Sequence, residues 1–185
     1  MSRDSAPRGD LRNPKPPRYP DVMSEGRGTR WLDADQQSSW RAFAVGVTLL
    51  LDRLDADLQR EFDLSLTEYE ILVRLSERPG RSMRMAQLAD ALAHSRSRVT
   101  HTVARMQNAG LVDRSASPED GRGIVCTLTD RGYDLLVQAA PVHVHGVRDY
   151  LVDLSSRDDF AAVGRVMNAV TDALIECHPE ADIRP

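Results

Sequence analysis

A helix-turn-helix pattern in residues 85–110 constrains the fold of this chain more than any other feature of its sequence. Apolar residues at three- and four-residue spacing predict a short first helix; they are Met85, Leu88, Ala89 and Leu92. After a tight connection at Ala93 and His94, Ser95 is placed to cap a second helix and Gly110 to end it. The face of this second helix expected to be buried carries Val99, Val103 and Met106.

A β-hairpin is predicted directly after these helices. Residues 111–114 form its first strand and residues 124–128 its second, joined by the polar, turn-rich sequence SASPEDGRG. Ser82–Met83–Arg84 is expected to add a short strand that pairs with this wing. In a winged helix-turn-helix the second helix enters the major groove of DNA, and the wing reaches the neighbouring minor groove.

A further helix is predicted just before the motif. Thr67 and Glu70 have the spacing of a capping box and are expected to open it. The dipeptide Pro79–Gly80 follows its end. Its apolar residues are Tyr69, Ile71, Leu72 and Leu75.

Three longer amphipathic helices surround this unit, one before it and two after it. The first covers about residues 35–62, with one apolar stripe formed by Trp40, Phe43, Val47, Leu50, Leu51, Leu54, Leu58 and Phe62. The second begins after a cap at Thr129 and runs to about Leu154, and Ser155 or Ser156 caps the third. These stripes are larger than one small lobe needs, so we expect part of them to lie against a second copy of the chain.

The predicted fold is mainly α with a small β-wing, in which a winged helix-turn-helix lobe adjoins long helices that form a dimerisation lobe. We expect one domain over residues 31–176. The DNA-reading lobe covers about residues 64–130, and the dimerisation helices cover about 35–62 and 129–176.

The two ends of the chain differ in composition from this domain. Residues 1–30 are rich in proline and arginine and cannot bury enough apolar surface to offset their ordering entropy, so they are predicted to be a disordered tail. Residues 177–185 are expected to be a frayed tail. The chain has no run of about 20 apolar residues and no signal-peptide core. We therefore expect a cytoplasmic protein without a membrane segment.

The distribution of charge favours nucleic acid more than the net charge does. The formal net charge is −4, which by itself gives no indication of a DNA-binding protein. Between Arg78 and Arg105, however, six arginines stand against one acid, Asp90. A local basic surface of this kind attracts phosphate, and acids elsewhere need not cancel it at short range.

The ordered motifs resemble those of the MarR (multiple antibiotic resistance regulator) family of transcription factors. The matching pieces are LTEYEILVRL, QLADAL, SRSRVTHTVARMQNAGLVDR, DGRGIVCTLTDRG and AAPVHVHGVRDYL. One departure is Ala93, which stands where such turns often have glycine. The resemblance implies a homodimer whose first and last two helices interlock. A two-fold dimer would place two reading helices about 34 Å apart, matching a near-palindromic site on double-stranded DNA.

DNA contacts are expected from the second helix of the motif and from the wing. Arg98 is a candidate for two hydrogen bonds to guanine, and Arg122 for the minor groove, where a narrow groove concentrates negative potential. The resemblance gives Asp120 the role of orienting a basic group, although an ordinary Asp–Gly turn with a solvated arginine is the alternative. Arg114 is open to a different role, bracing the base of the wing. The full candidate set for DNA is Arg84, Ser95, Arg96, Ser97, Arg98, Thr100, His101, Arg105, Asp120 and Arg122.

The resemblance also implies an effector pocket between the DNA-reading lobe and the dimer helices, often occupied by phenolic or other aromatic anions. The candidate lining residues are Trp40, Tyr69, Glu70 and Arg74. Core packing is the better account of Trp40 and Tyr69.

Metal and enzyme chemistry receive little support. His143 and His145 with Cys177 and His178 suggest zinc, but His-x-His spacing on a helix directs the two side chains to different sides. Cys126 is expected to be a small packed residue. The sequence has no glycine-rich phosphate loop, HExxH motif or nucleophile motif. We predict no enzyme, no cofactor and no metal site.

The predicted function is that of a sequence-specific DNA-binding transcriptional regulator, a homodimeric repressor released by a small aromatic or anionic effector. Two alternatives stay open. One is a winged helix used only for protein contacts, without specific DNA binding, and the other is a metal-sensing regulator.

Overall fold

The computed structural model describes residues 29–117 and 123–175. The predicted disordered tail falls outside these ranges apart from residues 29 and 30, and the predicted tail over residues 177–185 falls outside them entirely. No helix in the described ranges is long and apolar enough to cross a membrane.

The chain divides into two units, residues 1–38 and residues 39–185. The described part of the first unit holds a helix start capped by Asp33. Its Oδ1 accepts a hydrogen bond from Gln36 N at 2.8 Å, and Gln36 Oε1 accepts one from Asp33 N at 3.1 Å. This reciprocal pair satisfies two backbone donors at the start of the helix.

The described residues form six α-helices and a small sheet, which confirms the predicted mainly helical fold with a wing. The helices are α1 (Ala34–Phe62), α2 (Leu66–Ser76), α3 (Met85–Ala91), α4 (Arg96–Asn108), α5 (Asp130–Tyr150) and α6 (Arg157–Ile175). The strands are β1 (Ser82–Arg84), β2 (Val112–Ala116) and β3 (Ile124–Leu128). Short 3₁₀ turns occupy Pro79–Arg81 and Val152–Leu154.

The three strands pair antiparallel in the order β1-β3-β2. Ser82 of β1 lies opposite Thr127 of β3, which confirms the predicted pairing of this strand with the wing. The first wing strand, predicted over residues 111–114, is instead Val112–Ala116. Strand β2 is longer than its apolar pattern indicates because backbone pairing with β3 continues through exposed polar residues.

Among the described residues, a hydrophobic core joins α2, α3, α4 and the sheet to parts of α1 and α5. The predicted apolar faces of α2 and α4 are confirmed, since their members are buried. The largest fully buried side chains are Leu58, Leu64, Ile71, Leu72, Leu75, Leu88, Met106, Val99, Val103, Val112 and Cys126. This core holds one face of α4 and thereby directs the opposite face to solvent.

The cap of α2 lies two residues earlier than the sequence suggests, so the prediction of Thr67 with Glu70 is wrong. Ser65 Oγ accepts a hydrogen bond from Glu68 N at 3.3 Å, and Glu68 Oε2 accepts one from Ser65 N at 2.9 Å. Both residue pairs have capping-box spacing. The earlier one forms because Asp55 of α1 also accepts a hydrogen bond from Leu66 N at 2.7 Å, a contact between distant residues.

The cap of α5 is confirmed, and its end is corrected. Thr129 Oγ1 accepts a hydrogen bond from Gly132 N at 3.0 Å. The α-helix ends at Tyr150 rather than near Leu154, because the backbone of Leu151 leaves the helical conformation (φ −140°, ψ −61°) and a 3₁₀ turn over Val152–Leu154 follows. Of the two candidate caps of α6, Ser156 is the one whose Oγ accepts from Asp159 N, at 3.1 Å.

The apolar stripe of α1 is buried over only part of its length. Leu54 and Leu58 are in the interior, whereas Phe43 and Val47 are exposed and Trp40 is 58% exposed. The prediction that Trp40 packs in the core is therefore wrong for the single chain. The side chains of α6 described between residues 157 and 174 are likewise never buried.

Candidate nucleic-acid interface and effector pocket

The turn before α4 fixes where this helix begins. Ala93 has a left-handed backbone (φ 51°), the conformation for which glycine is favoured, and its side chain is exposed. Ser95 caps α4 as predicted, because its Oγ accepts a hydrogen bond from Arg98 N at 3.3 Å. This hydrogen bond engages the Ser95 hydroxyl oxygen within the helix and fixes the direction of the first turn of α4.

Exposed polar side chains lie on the face of α4 that points away from the core. Those in the first two turns are Arg96, Ser97, Arg98, Thr100 and His101. The hydroxyl of Thr100 donates to Arg96 O at 2.7 Å, so only its oxygen lone pairs remain for a partner. Five of the predicted DNA-contacting residues thus share one exposed surface.

Arg105 differs from these residues because its guanidinium already has a partner. Its Nε and one terminal nitrogen each lie 3.0 Å from Oε1 of Glu68, on α2. Residue spacing within α4 could not reveal this contact, since Glu68 lies 37 positions earlier in the chain.

The base of the wing is braced by Arg114, as predicted. Its Nε donates to Gln107 Oε1 of α4 at 2.7 Å. Asp120 and Arg122, the predicted residues of the wing tip, lie outside the described ranges.

Arg84 is half-buried at the junction of β1 and α3. It borders a polar groove of about 440 Å³ between α3 and the sheet, lined by Ser82, Met83, Arg84, Gln87, Ser115, Ser117, Val125 and Thr127. Arg84 therefore lies next to the wing and apart from the exposed face of α4.

A second cavity lies between α2, α5 and the turn after α3. It measures about 430 Å³ and is lined by Tyr69, Glu70, Val73, Arg74, Ala91, Leu92, Ala93 and His143. It brings together three of the four predicted effector residues, and Tyr69 is also buried, at 6% exposure, as the core interpretation predicts. Trp40 does not line it and stacks instead on Phe43, with ring centroids 6.1 Å apart.

His143 is the member of this cavity that the effector prediction missed. Its ring centroid lies 4.5 Å from that of Tyr69. The two residues are distant in sequence, and no motif connects them. The Nδ1 atoms of His143 and His94 are buried without a hydrogen-bond partner among the described residues.

The electrostatics of the cavity extend to the first turn of α4. Burial raises the pKa of Glu70, while the positive charges of Arg74 and Arg98 oppose the shift. Burial lowers the pKa of His143, and burial together with Arg98 lowers that of His94. Arg98 is thus exposed on the face of α4 and also acts electrostatically on a carboxyl group of the cavity.

The histidine and cysteine residues do not form a metal site in the described part of the chain. His143 is half-buried against Tyr69 whereas His145 is exposed, and Cys177 and His178 lie outside the described ranges. No group of three possible metal ligands occurs among the described residues. Cys126 is fully buried, as predicted, and burial raises the pKa of its thiol to about 12.

Comparisons with known proteins agree with this architecture. A family model described as the MarR family matches residues 62–123. The regulator PecS of Dickeya dadantii (strain 3937) is 31% identical over 124 residues, which cover 65% of this chain and 75% of PecS.

Two solved structures of MarR family transcriptional regulators from Streptomyces coelicolor are also similar. Sco3205, solved in complex with DNA, is 39% identical, with a TM-score of 0.77. The match covers 80% of this chain and 93% of the Sco3205 chain. AbsC is 39% identical, with a TM-score of 0.75, and the match covers 79% of this chain and 98% of AbsC. These relatives are regulators of transcription and not enzymes, and by its sequence and its winged fold the chain belongs to the MarR family of DNA-binding transcriptional regulators.

Proposed function

We propose that the protein is a homodimeric repressor that binds a near-palindromic DNA site and is released by a small aromatic or anionic effector. The exposed polar face of α4 is the observation that carries this proposal. The winged fold holds the opposite face of α4 in the core, so this surface is free to enter a major groove. The similarity to Sco3205, whose structure contains DNA, supports the same role.

Arg98 is the proposed base reader, with Arg96 placed for phosphate. Both belong to the first turn after the Ser95 cap, and the first turns of a recognition helix reach deepest into the groove. Ser97, Thr100 and His101 border the same surface. Arg84, beside the wing, is assigned to a phosphate contact.

We propose that the chain divides into a DNA-reading lobe at about residues 64–130 and long helices at about 35–62 and 129–176, and that these helices form the dimer. Exposed apolar stripes on α1 and α6 support it, because they leave large side chains in water unless another chain covers them. Two-fold symmetry then places two copies of α4 on successive major grooves, about 34 Å apart.

Replacement of Arg98 tests the reading role. The probes are the tightest-binding duplex recovered by the wild-type protein from a random pool and a scrambled duplex of the same composition. Arg98→Ala is expected to weaken binding to the first by about 1–3 kcal/mol and to the second much less. Glu77→Ala, at an exposed position just after the end of α2 and outside the proposed dimer helices, is the control and should leave both affinities unchanged. A protein that recovers no preferred duplex would be the protein-contact module instead.

The wing supplies a second test. Arg122→Ala is expected to weaken binding most where A·T-rich flanks narrow the minor groove and concentrate its negative potential. Affinities for duplexes that differ only in their flanks measure this. Equal losses on A·T-rich and G·C-rich flanks would remove Arg122 from the minor groove.

The effector is assigned to the cavity that contains Tyr69, Arg74 and His143. An anion beside Arg74 competes with the Glu70 carboxylate for the positive charges of Arg74 and of Arg98 on α4. It releases DNA only if it binds the two dimer states with different affinity. A panel of phenolic acids should raise the melting temperature and release DNA, and Arg74→Ala should lose both effects while retaining DNA binding. Release that persists undiminished in Arg74→Ala would place the effector elsewhere.

A further inference from the structure

We infer that Glu68 and Arg105 are positioning residues that together set the orientation of α4 on α2, and that Arg105 does not contact DNA. The inference rests on the proposed DNA-reading role of α4. Glu68 lies in the first turn of α2, where its side chain is only 10% exposed. Arg105 lies in the last turn of α4, and its side chain is 67% exposed.

The carboxylate of Glu68 has four donors within hydrogen-bond distance. Oε2 accepts from Ser65 N at 2.9 Å and from Ser65 Oγ at 2.7 Å. Oε1 accepts from Arg105 Nε and from one terminal nitrogen of Arg105, each at 3.0 Å. Hydrogen bonds between charged groups are shorter and stronger than neutral ones. A single buried carboxylate therefore holds both the cap of α2 and the guanidinium from α4.

The first turn of α2 is itself attached to α1. Leu66 N donates to Asp55 Oδ1 at 2.7 Å. Through Asp55 and Glu68, polar contacts connect α1 to α2 and α2 to α4. Because α1 is one of the proposed dimer helices, these contacts help to set the separation of the two copies of α4. A near-palindromic site tolerates little change in that separation.

The position of Arg105 along α4 agrees with a positioning role. It follows the Ser95 cap by ten residues, about 15 Å along the axis at 1.5 Å per residue. The helix start is the part that enters a groove. A guanidinium held at the other end by a carboxylate of α2 is suited to fixing the helix rather than to gripping a base.

The test breaks the pair from either end with Glu68→Gln and Arg105→Gln. Glutamine also serves at the third position of a capping box, so the first variant retains the cap of α2 and the positive charge of Arg105. The second variant removes that charge. Binding is measured at several salt concentrations on the duplex that the wild-type protein selects and on its scrambled version.

A positioning pair predicts the same result for both variants. Each is expected to bind the selected duplex about tenfold more weakly, and the double variant no more weakly than either single one, because all three lose the same interaction. Binding to the scrambled duplex and the salt slope should stay at wild-type values. Glu77→Gln, at an exposed position just after the end of α2 and outside both the candidate DNA surface and the proposed dimer helices, is the control and should leave both affinities at wild-type values.

A phosphate contact by Arg105 gives a different pattern and would overturn the inference. Arg105→Gln would then lower the salt slope by about one unit on both duplexes, while Glu68→Gln bound at least as tightly as the wild type. Unchanged affinity in both variants would overturn it as well. If Glu68→Gln fails to fold, the salt slope of Arg105→Gln decides by itself.

The failure of the proposed DNA function is a separate outcome, because the wild-type protein would then select no duplex. The pairing is still tested by unfolding in urea. The urea midpoint of the double variant should shift by less than the sum of the midpoint shifts of the two single variants. Additive shifts would contradict the pairing of Glu68 with Arg105.

Discussion

The backbone at Ala93 has a left-handed conformation that an L-residue adopts at a disadvantage. Ala93 lies just after the short α3, and its φ of 51° turns the chain toward Ser95, which caps α4. The side chain of Ala93 is exposed, so its removal leaves no cavity in the core. The cost of having alanine where the family often has glycine therefore lies in the local backbone conformation and not in the packing of the side chain.

Ala93→Gly is expected to stabilise the fold by about 0.5–1 kcal/mol, because relief of the left-handed strain exceeds the added entropy of the unfolded chain. Urea denaturation at fixed protein concentration measures the change as a higher midpoint with an unchanged slope. Ala86→Gly, at an exposed position inside α3, is the control and should destabilise. A lower midpoint for Ala93→Gly would show that the alanine is not strained.

The thiol of Cys126 is expected to be unreactive because it is buried. It is fully buried on β3, and burial raises the pKa of its thiol to about 12. Since the thiolate is the reactive form, iodoacetamide at pH 8 should leave Cys126 unmodified in the folded protein and modify it in urea. Peptide mass spectrometry separates it from Cys177. Modification of folded protein at the rate of a free thiol would contradict its burial.

At the scale of whole elements, the sequence predicted most helices and strands but not the side-chain contacts that connect one element to another. Strand β3, the Thr129 cap and the buried face of α4 follow from local patterns of apolar and turn residues. The choice between Ser65 and Thr67 as the cap of α2 does not, because both have the same spacing to a glutamate. Asp55 settles it from another helix.

The same limit applies to the candidate site. The exposed face of α4 could be predicted, because helical periodicity separates it from Val99, Val103 and Met106. The partner of Arg105 and the position of His143 beside Tyr69 could not. Both depend on how helices distant in sequence pack together, which residue spacing within one helix does not encode.

The junction of α4 and α5 is close-packed at the backbone. Thr129 N donates to Leu111 O at 3.1 Å, and the Thr129 hydroxyl lies 2.8 Å from Gly110 O and 3.0 Å from Leu111 O. A Cβ at Gly132 would lie 2.1 Å from that same Leu111 O. The start of α5 therefore rests directly on the chain that leaves α4, with no room for a side chain.

Gly132→Ala is expected to destabilise the protein by about 1–3 kcal/mol, because a backbone oxygen held by Thr129 cannot move aside. Gly146→Ala, on the same helix, is the comparison. Its Cβ would meet the end of the Leu54 side chain at 2.8 Å, and a side chain can rotate away. Urea unfolding should therefore rank Gly132→Ala as the more damaging change. The reverse order would mean that this junction is not rigid.

At the scale of the whole molecule, α6 presents an apolar stripe that the single chain leaves exposed. Phe160, Val163, Met167, Val170 and Leu174 repeat at alternating spacings of three and four residues, which places them on one face. All five are exposed. A helix of this length gains most of its stability from packing such a face, so a second chain is the expected cover.

The wild-type protein is therefore expected to sediment as a dimer at micromolar concentration, and Val163→Asp as a monomer. The variant places a charge in the middle of the stripe, where burial without a partner is unfavourable. Ala161→Asp introduces the same residue on the opposite face of α6, at an exposed position, and should remain dimeric.

DNA binding should follow the oligomeric state. A monomer holds one copy of α4 and loses the paired contacts with a near-palindromic site, so Val163→Asp should bind the selected duplex no better than the scrambled one. A wild-type protein that stays monomeric over the whole concentration range would contradict the dimer. A dimeric Val163→Asp that still prefers the selected duplex would move the interface away from this face of α6 and leave α1 and α5 to form it.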